Sequence, residues 1–279
     1  MLIDNDANIN VKDENGITPL MTATLRNYPK MVRMLIISNA DSRIEDKNGD
    51  TALIHSIRTN NMECFDILSG TYPEIDERKA RGKALFIAMK LGRIEMAKLL
   101  IKRYADLEYN SYGKTALKFA SARGYLDVVK LLIEKGANVN AANSCGYTAL
   151  MEACNCGRTD IVKFLIGEGA NVNASGGECG HTAFMFVIDN KNLGEEDCMN
   201  LIKLLIESGA DVNARNKIGE TALLQALKKR RFATAKLLLN NGADIWVKDR
   251  RGNYALLLWI KNAFTIMRMK TPIIQKHYK

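Results

Sequence analysis

Residues 113–140 read Gly113-Lys114-Thr115-Ala116-Leu117-Lys118-Phe119-Ala120-Ser121-Ala122-Arg123-Gly124-Tyr125-Leu126-Asp127-Val128-Val129-Lys130-Leu131-Leu132-Ile133-Glu134-Lys135-Gly136-Ala137-Asn138-Val139-Asn140, and the order of residue types here decides the fold. Gly113 permits a tight turn with positive φ. Thr115 offers a hydroxyl to cap the helix that follows. Ala116, Leu117, Ala120 and Ser121 give that helix a narrow stripe of small and apolar residues, which lets neighbouring helices approach closely. Gly124 ends it. Leu126, Val128, Val129, Leu131, Leu132 and Ile133 make a second helix with apolar residues on two sides, as a helix sandwiched between neighbours requires. Gly136 closes it in the left-handed position. The stretch from Ala137 to Asn143 is too polar and too short for a helix and reads as an extended arm leading to the next turn.

The same pattern recurs along the chain. One anchor appears as Thr18-Pro19-Leu20, Thr51-Ala52-Leu53, Lys83-Ala84-Leu85, Thr115-Ala116-Leu117, Thr148-Ala149-Leu150, Thr182-Ala183-Phe184, Thr221-Ala222-Leu223 and Tyr254-Ala255-Leu256, at steps of 33, 32, 32, 33, 34, 39 and 33 residues. A second keeps the same beat: Asp6-Ala7-Asn8, Ala105-Asp106-Leu107, Gly136-Ala137-Asn138, Gly169-Ala170-Asn171, Gly209-Ala210-Asp211 and Gly242-Ala243-Asp244. One helix pair cannot bury its apolar faces alone, so a fixed period of this length predicts stacked units sharing a continuous core.

The two anchors in phase resemble the ankyrin repeat, a unit of about 33 residues with a β-turn and two antiparallel helices. The resemblance covers residues 1 to about 265. It implies an all-α solenoid of stacked helix–turn–helix units joined by β-turn or hairpin loops. The expected organisation is a single array over 1–279: a partial repeat at 1–12, repeats from about 13, 46, 79, 110, 143, 176 and 216, and a degenerate repeat with tail at 249–279.

Three places depart from the beat. The 39-residue step holds extra residues at Asn190 to Asp197, expected as a polar loop between the two helices of its unit. The third unit is one residue short at its turn, where Ala80 and Arg81 precede Gly82 and Lys83 replaces the capping threonine. At the ends, Met1 to Asn8 matches the tail of a second helix, so a truncated reading frame is expected, and the first complete unit, Leu20 to Ser38, lacks a polar cap. From Tyr254 a first helix begins, Ala263 to Lys270 continue it, and Pro272 stops it as a lid before the tail Lys276-His277-Tyr278-Lys279.

Composition fits a folded helical chain: 47% hydrophobic and 25% charged residues, with four prolines in 279 residues. No window approaches the ~18 apolar residues of a membrane span. The opening residues form no signal peptide, so a cytoplasmic or nuclear location is expected. Six cysteines are too sparse for a disulfide framework. The net charge of +9 is local, because Lys228 to Lys279 carries thirteen Lys/Arg against Asp244 and Asp249.

The chemistry of catalysis is missing from the sequence. His55, His181 and His277 lie in different units, and no nucleophile elbow, phosphate-binding loop or paired-carboxylate motif occurs. Cys145, Cys156, Cys179 and His181 are the nearest approach to a zinc set, yet turn tips and helix ends stand far apart, so packing thiols are the expectation. No cofactor is expected, and the chain is read as a non-enzymatic, monomeric scaffold for a partner protein. The resemblance implies that turn tips and the ends of first helices line a concave binding face. Those positions include Tyr112, Lys114 and Arg123, then Tyr147 and Asn155, then His181, then Lys228 and Lys229, and finally Arg250 and Arg251. Tyr112 and Tyr147 occupy corresponding central places, as anchors or as packing on the adjacent arm. Lys228-Lys229-Arg230-Arg231 with Arg250, Arg251 and Lys261 is expected to form a basic patch. It reads as a solvated face, a dock for an acidic protein segment, or an alternative site for nucleic acid or another anionic surface. His55, at a place where the family has histidine, is expected to order its turn by hydrogen bonding.

Overall fold

The computed structural model describes residues 8–70, 78–103, 105–109, 111, 113–252 and 254–260. The opening residues 1–7, Tyr112, Lys261 and the expected lid and tail beyond it lie outside the described residues. The helices are α1 (Pro19–Leu25), α2 (Pro29–Ile37), α3 (Ala52–Arg58), α4 (Met62–Gly70), α5 (Arg78–Lys90), α6 (Ile94–Lys102), α7 (Ala116–Arg123), α8 (Leu126–Glu134), α9 (Ala149–Asn155), α10 (Thr159–Gly167), α11 (Ala183–Asp189), α12 (Glu195–Glu207), α13 (Ala222–Lys228), α14 (Phe232–Asn240) and α15 (255–260). Between α10 and α11, β1 (Ser175–Gly176) pairs antiparallel with β2 (His181–Thr182), Ser175 opposite Thr182.

The chain forms two compact units, one of residues 1–117 and 127–137, the other of 118–126 and 138–279. In the first, α1, α3 and α5 lie side by side, and each packs on its own second helix, α2, α4 or α6. Leu20, Leu53 and Leu85 from the first helices are buried with Val32, Phe65, Leu68 and Leu100 from the second. In the second unit α9, α11 and α13 form one row and α10, α12 and α14 the other. Leu150, Phe184 and Leu223 are buried with Val162, Leu165, Leu201, Ile202 and Leu238. Burial of such side chains is worth about 1.5–3 kcal/mol each before chain entropy is counted, so every pair depends on its neighbours.

The turn chemistry is more specific than a lone glycine. Asp13, Asp46, Asn143 and Asn216 stand three residues before a turn glycine, and each side-chain oxygen accepts backbone N–H groups two and four residues on, at 2.7–3.1 Å. Thr18, Thr51, Thr148 and Thr221 then cap their helices, each hydroxyl accepting the N–H three residues on at 3.3–3.4 Å. The third repeat has neither device, since Lys79 holds the Asx position and Lys83 the threonine position. The turn expected at Gly82 does not form there; α5 runs through it from Arg78. Nothing in the local sequence stops the helix, and a Cβ at Gly82 would meet the Tyr109 Cβ at 2.5 Å.

The 39-residue step is also divided differently from the expected polar loop. Helix α12 has 13 residues where α10 and α14 have 9, so residues 190–194 form the expected loop and Glu195, Glu196 and Asp197 instead open a longer helix. Its acidic first turn, Glu195, Glu196 and Asp197, suits the positive end of the helix dipole. The shortened loop is held from both sides. A Cβ at Gly157 would lie 2.8 Å from the Leu193 side chain, and Arg231 donates to the carbonyls of Asn190 and Leu193. Asn61 and Arg158 do the same elsewhere, reaching the carbonyls of Thr24 (2.9 Å) and Ala122 (3.2 Å). These carbonyls lie at or just beyond first-helix C-termini, where intrahelical donors run out, although Thr24 and Asn190 each also accept a backbone N–H, from Asn27 and Leu193.

A candidate protein-interaction surface

The second unit builds a surface strip from its first helices and turns. The Asn143 turn presents Tyr147, whose ring packs on Phe186 of α11 with centroids 5.2 Å apart and planes tilted by 47°. Its hydroxyl lies over Gly177, where a Cβ would come within 2.9 Å. Gly177 also has φ +83°, so it meets two requirements, the left-handed backbone and the room for the phenol. Burial by these neighbours pushes the Tyr147 pKa up, with Glu152 and the thiols Cys145 and Cys179 adding to the shift. The phenol is therefore a neutral hydrogen-bonding tip on a fixed ring.

His181 on β2 meets the same Phe186 edge-on at 5.6 Å. Its Nδ1 stands 3.5 Å from Asp189 at the end of α11, and the other oxygen of that carboxylate is 2.7 Å from Lys229 Nζ. Tyr147, Phe186, His181, Asp189 and Lys229 thus form one chain of contacts from the turn before α9 to the end of α13. Asn155 is exposed at the last turn of α9. Arg123 is exposed at the end of α7 with its guanidinium 5.3 Å over Phe119. In the first unit Lys114 is exposed in a turn where it bridges Ser111. Tyr112 lies outside the described residues.

The basic run is organised by carboxylates. Lys228 Nζ is 2.6 Å from Glu220 and 2.7 Å from Asp249. Burial alone lowers its pKa, but the hydrogen bonds to Asp249 and Glu220 outweigh this and raise it. Arg231 approaches Glu195 at 3.6 Å. Arg230 takes the left-handed place that glycine holds elsewhere, at φ 60°. The run therefore does not present four uncompensated charges. Arg250 and Arg251 are exposed in the turn before Gly252.

His55 does order its turn: its Nε2 is 2.9 Å from Asp46 Oδ2, the carboxylate that accepts the turn N–H groups. Burial raises the Asp46 pKa, but the N–H donors of Asp50 and Asn48 and the His55 ring together bring it below the ordinary value. Arg58 and Asp50, both at recognition positions, pair with each other at 2.6 Å.

Cys145 and Cys179 are exposed, and Cys64, Cys154 and Cys198 are buried. Among the described residues no group of three or more His, Cys, Asp or Glu side chains could hold a metal ion.

Sequence reasoning missed a ladder of asparagines on the extended arms. The amides of Asn140, Asn173 and Asn213 each donate to a glycine carbonyl of the next repeat (Gly169, Gly209 and Gly242, 2.9–3.1 Å). Each side-chain oxygen accepts the N–H of Asn171, Asp211 or Asp244 in turn (2.7–2.8 Å). The asparagine that recurs two residues after the second anchor, as Asn140, Asn173 and Asn213, was the available signal.

No helix among the described residues is long and apolar enough to cross a membrane. No curated protein matches the chain. A family model described as ankyrin repeats (3 copies) matches residues 1–79, 71–143, 109–176 and 150–249. Repeats of this kind generally mediate protein–protein interaction, and proteins built from them are typically non-enzymatic scaffolds. With helix pairs, capped turns and stacked rows as described, the chain belongs to the ankyrin repeat family.

Proposed function

We propose that the chain is a non-enzymatic, monomeric interaction scaffold of the cytoplasm or nucleus. It holds a partner protein on the face of turn tips and first helices, the face that is concave in this family. Tyr147 is the anchor of this surface in the second unit, with His181 on the same Phe186 ring and Asn155 and Arg123 exposed at the ends of first helices; Lys114 is a candidate contact on the first unit. The observation that carries the reading is the rigid seat of Tyr147, with its ring fixed on Phe186 and its hydroxyl against Gly177. An aromatic held in place before binding loses little entropy on contact, and such residues anchor protein interfaces. The ion pairs of Lys228 and Lys229 weigh against an extended nucleic-acid site on that run, because the nearby carboxylates repel phosphate.

Site-specific photo-crosslinking tests this. A crosslinker at Asn155, on the proposed face, should trap a partner from lysate of the source cells, and Tyr147→Ala should abolish that adduct. The same group at Lys163, on the exposed side of α10, should trap none. Adducts at Lys163 that survive Tyr147→Ala would place binding elsewhere.

A further inference from the structure

The asparagine ladder stops at a tryptophan. Trp246 occupies the register position that follows Asn140, Asn173 and Asn213, and its side chain is left 70% exposed. The loop beneath it is fixed, since the Trp246 N–H donates to Asp244 Oδ1 at 2.8 Å.

The indole borders an open groove of about 590 Å³ lined also by Arg215, Asn216, Lys248 and Arg250. Arg215 reaches across to the Lys248 carbonyl (3.5 Å), and Lys248 Nζ stands 5.2 Å over the Tyr254 ring. Asp249 is also in the wall, but it is 3% exposed and its oxygens accept from Lys228 at 2.7 Å and from the Arg251 N–H at 2.9 Å. The groove therefore presents an apolar plate among three cations, with its own carboxylate already neutralised.

We propose that this groove binds a short acidic segment of a partner protein. Carboxylates would pair with Arg215, Lys248 and Arg250 while an apolar side chain lies on Trp246. Charge complementarity selects the occupant. A nucleic-acid strand needs a continued phosphate track and successive stacking platforms over about 4–16 nucleotides. Here one indole and three cations are gathered at a single groove, which suits a short segment rather than a continued strand. The groove runs from the extended arms at Arg215 and Trp246 to the turns at Gly219 and Arg250, and it contains none of Tyr147, Asn155 and His181, so the two readings can fail separately.

The test uses the full chain and fluorescence anisotropy at low salt with four probes: a ten-residue peptide of alternating Glu and Leu, a ten-residue Glu peptide, a ten-residue peptide of alternating Lys and Leu, and a ten-nucleotide oligothymidylate. The Glu-Leu peptide should bind best, and raising the salt should weaken it. Trp246→Ala and Arg215→Glu, both at exposed positions and checked for folding by circular dichroism, should each weaken it at least about tenfold. Tyr147→Ala should leave it unchanged. The proposal is overturned by no binding of the Glu-Leu peptide, by equal binding of the Lys-Leu peptide, by insensitivity to both groove variants, or by tighter oligothymidylate binding that the same variants abolish.

Discussion

Three glycines within ten residues allow the physical reasons for glycine to be separated by one substitution each. Gly167 ends α10 with ordinary helical φ, and nothing lies within 4 Å of a Cβ placed there. Gly167→Ala should stabilise by about 0.5–1 kcal/mol through the smaller entropy of the unfolded chain. Gly169 has equal space but sits at φ +83°. Gly169→Ala should therefore lose about 1–2 kcal/mol, the price of a left-handed non-glycine residue. Gly176 is the reverse case. Its φ is not left-handed, but a Cβ would fall 2.5 Å from the Gly146 carbonyl oxygen, 2.7 Å from its carbon and 2.9 Å from Met151 Sδ. Two of the three are backbone atoms of the neighbouring turn, and that turn is tied by the Gly177 N–H to the Cys145 carbonyl at 2.7 Å. Relief requires separating the two turns, so Gly176→Ala should lose about 3 kcal/mol, near the upper range of overpacking. Urea unfolding by far-UV circular dichroism gives the ranking. Hydrogen exchange over residues 143–182 shows whether the loss is local, because repeat proteins can open in segments. A Gly176→Ala loss no larger than that of Gly169→Ala, or a destabilising Gly167→Ala, would refute the reasoning.

Arg230→Gly should stabilise by about 1 kcal/mol in the same urea assay, because it relieves a left-handed arginine. Arg231→Ala should release the 190–194 loop, seen as faster amide exchange there, and cost about 1–3 kcal/mol by leaving the Leu193 carbonyl without a donor and the Asn190 carbonyl with only the Leu193 N–H. The lowered Asp46 pKa means that its ionised form stabilises the fold above the unfolded value of about 3.9, and that this stability is lost as pH falls through the folded value. Asp46→Asn keeps an oxygen for the turn, so wild type should be the more stable at pH 7 and the gap should narrow in acid unfolding below about pH 4. Iodoacetamide at pH 8 should label the exposed Cys145 and Cys179 and leave Cys154, whose thiol is pushed up to about 12 by burial, unmodified in peptide mass spectra.

Much of the fold was legible because a repeat writes local information many times. The Thr-Ala-Leu anchor fixes where each first helix starts, since the hydroxyl cap and the small, buried stripe act within one turn. The glycines that close the helices were equally readable, as left-handed φ at Gly124, Gly136 and Gly169 reflects a local backbone need. Even the failure at Gly82 was partly written in Lys83. What was not weighed was Lys79, at the place where other repeats carry Asp or Asn.

The surface was less legible for a physical reason. Whether Lys228 is a free cation or the partner of Glu220 and Asp249 depends on side chains 8 and 21 residues away meeting in space, which periodicity does not encode. Tyr147 could be placed at a turn tip from sequence, but its seat on Phe186 and Gly177 needed the packed neighbour. Arg250 was placed at a turn tip and in a basic patch from sequence, but Trp246, Arg215 and Lys248 beside it drew no notice until burial exposed the contrast between a fixed loop and an uncovered indole. The sequence by itself determined the helix pairs, their caps and their period, because those follow from contacts within a few residues. Only tertiary structure decided which charges are neutralised, how the insertion divides into helix and loop, and which side chains face water, because those follow from contacts between repeats.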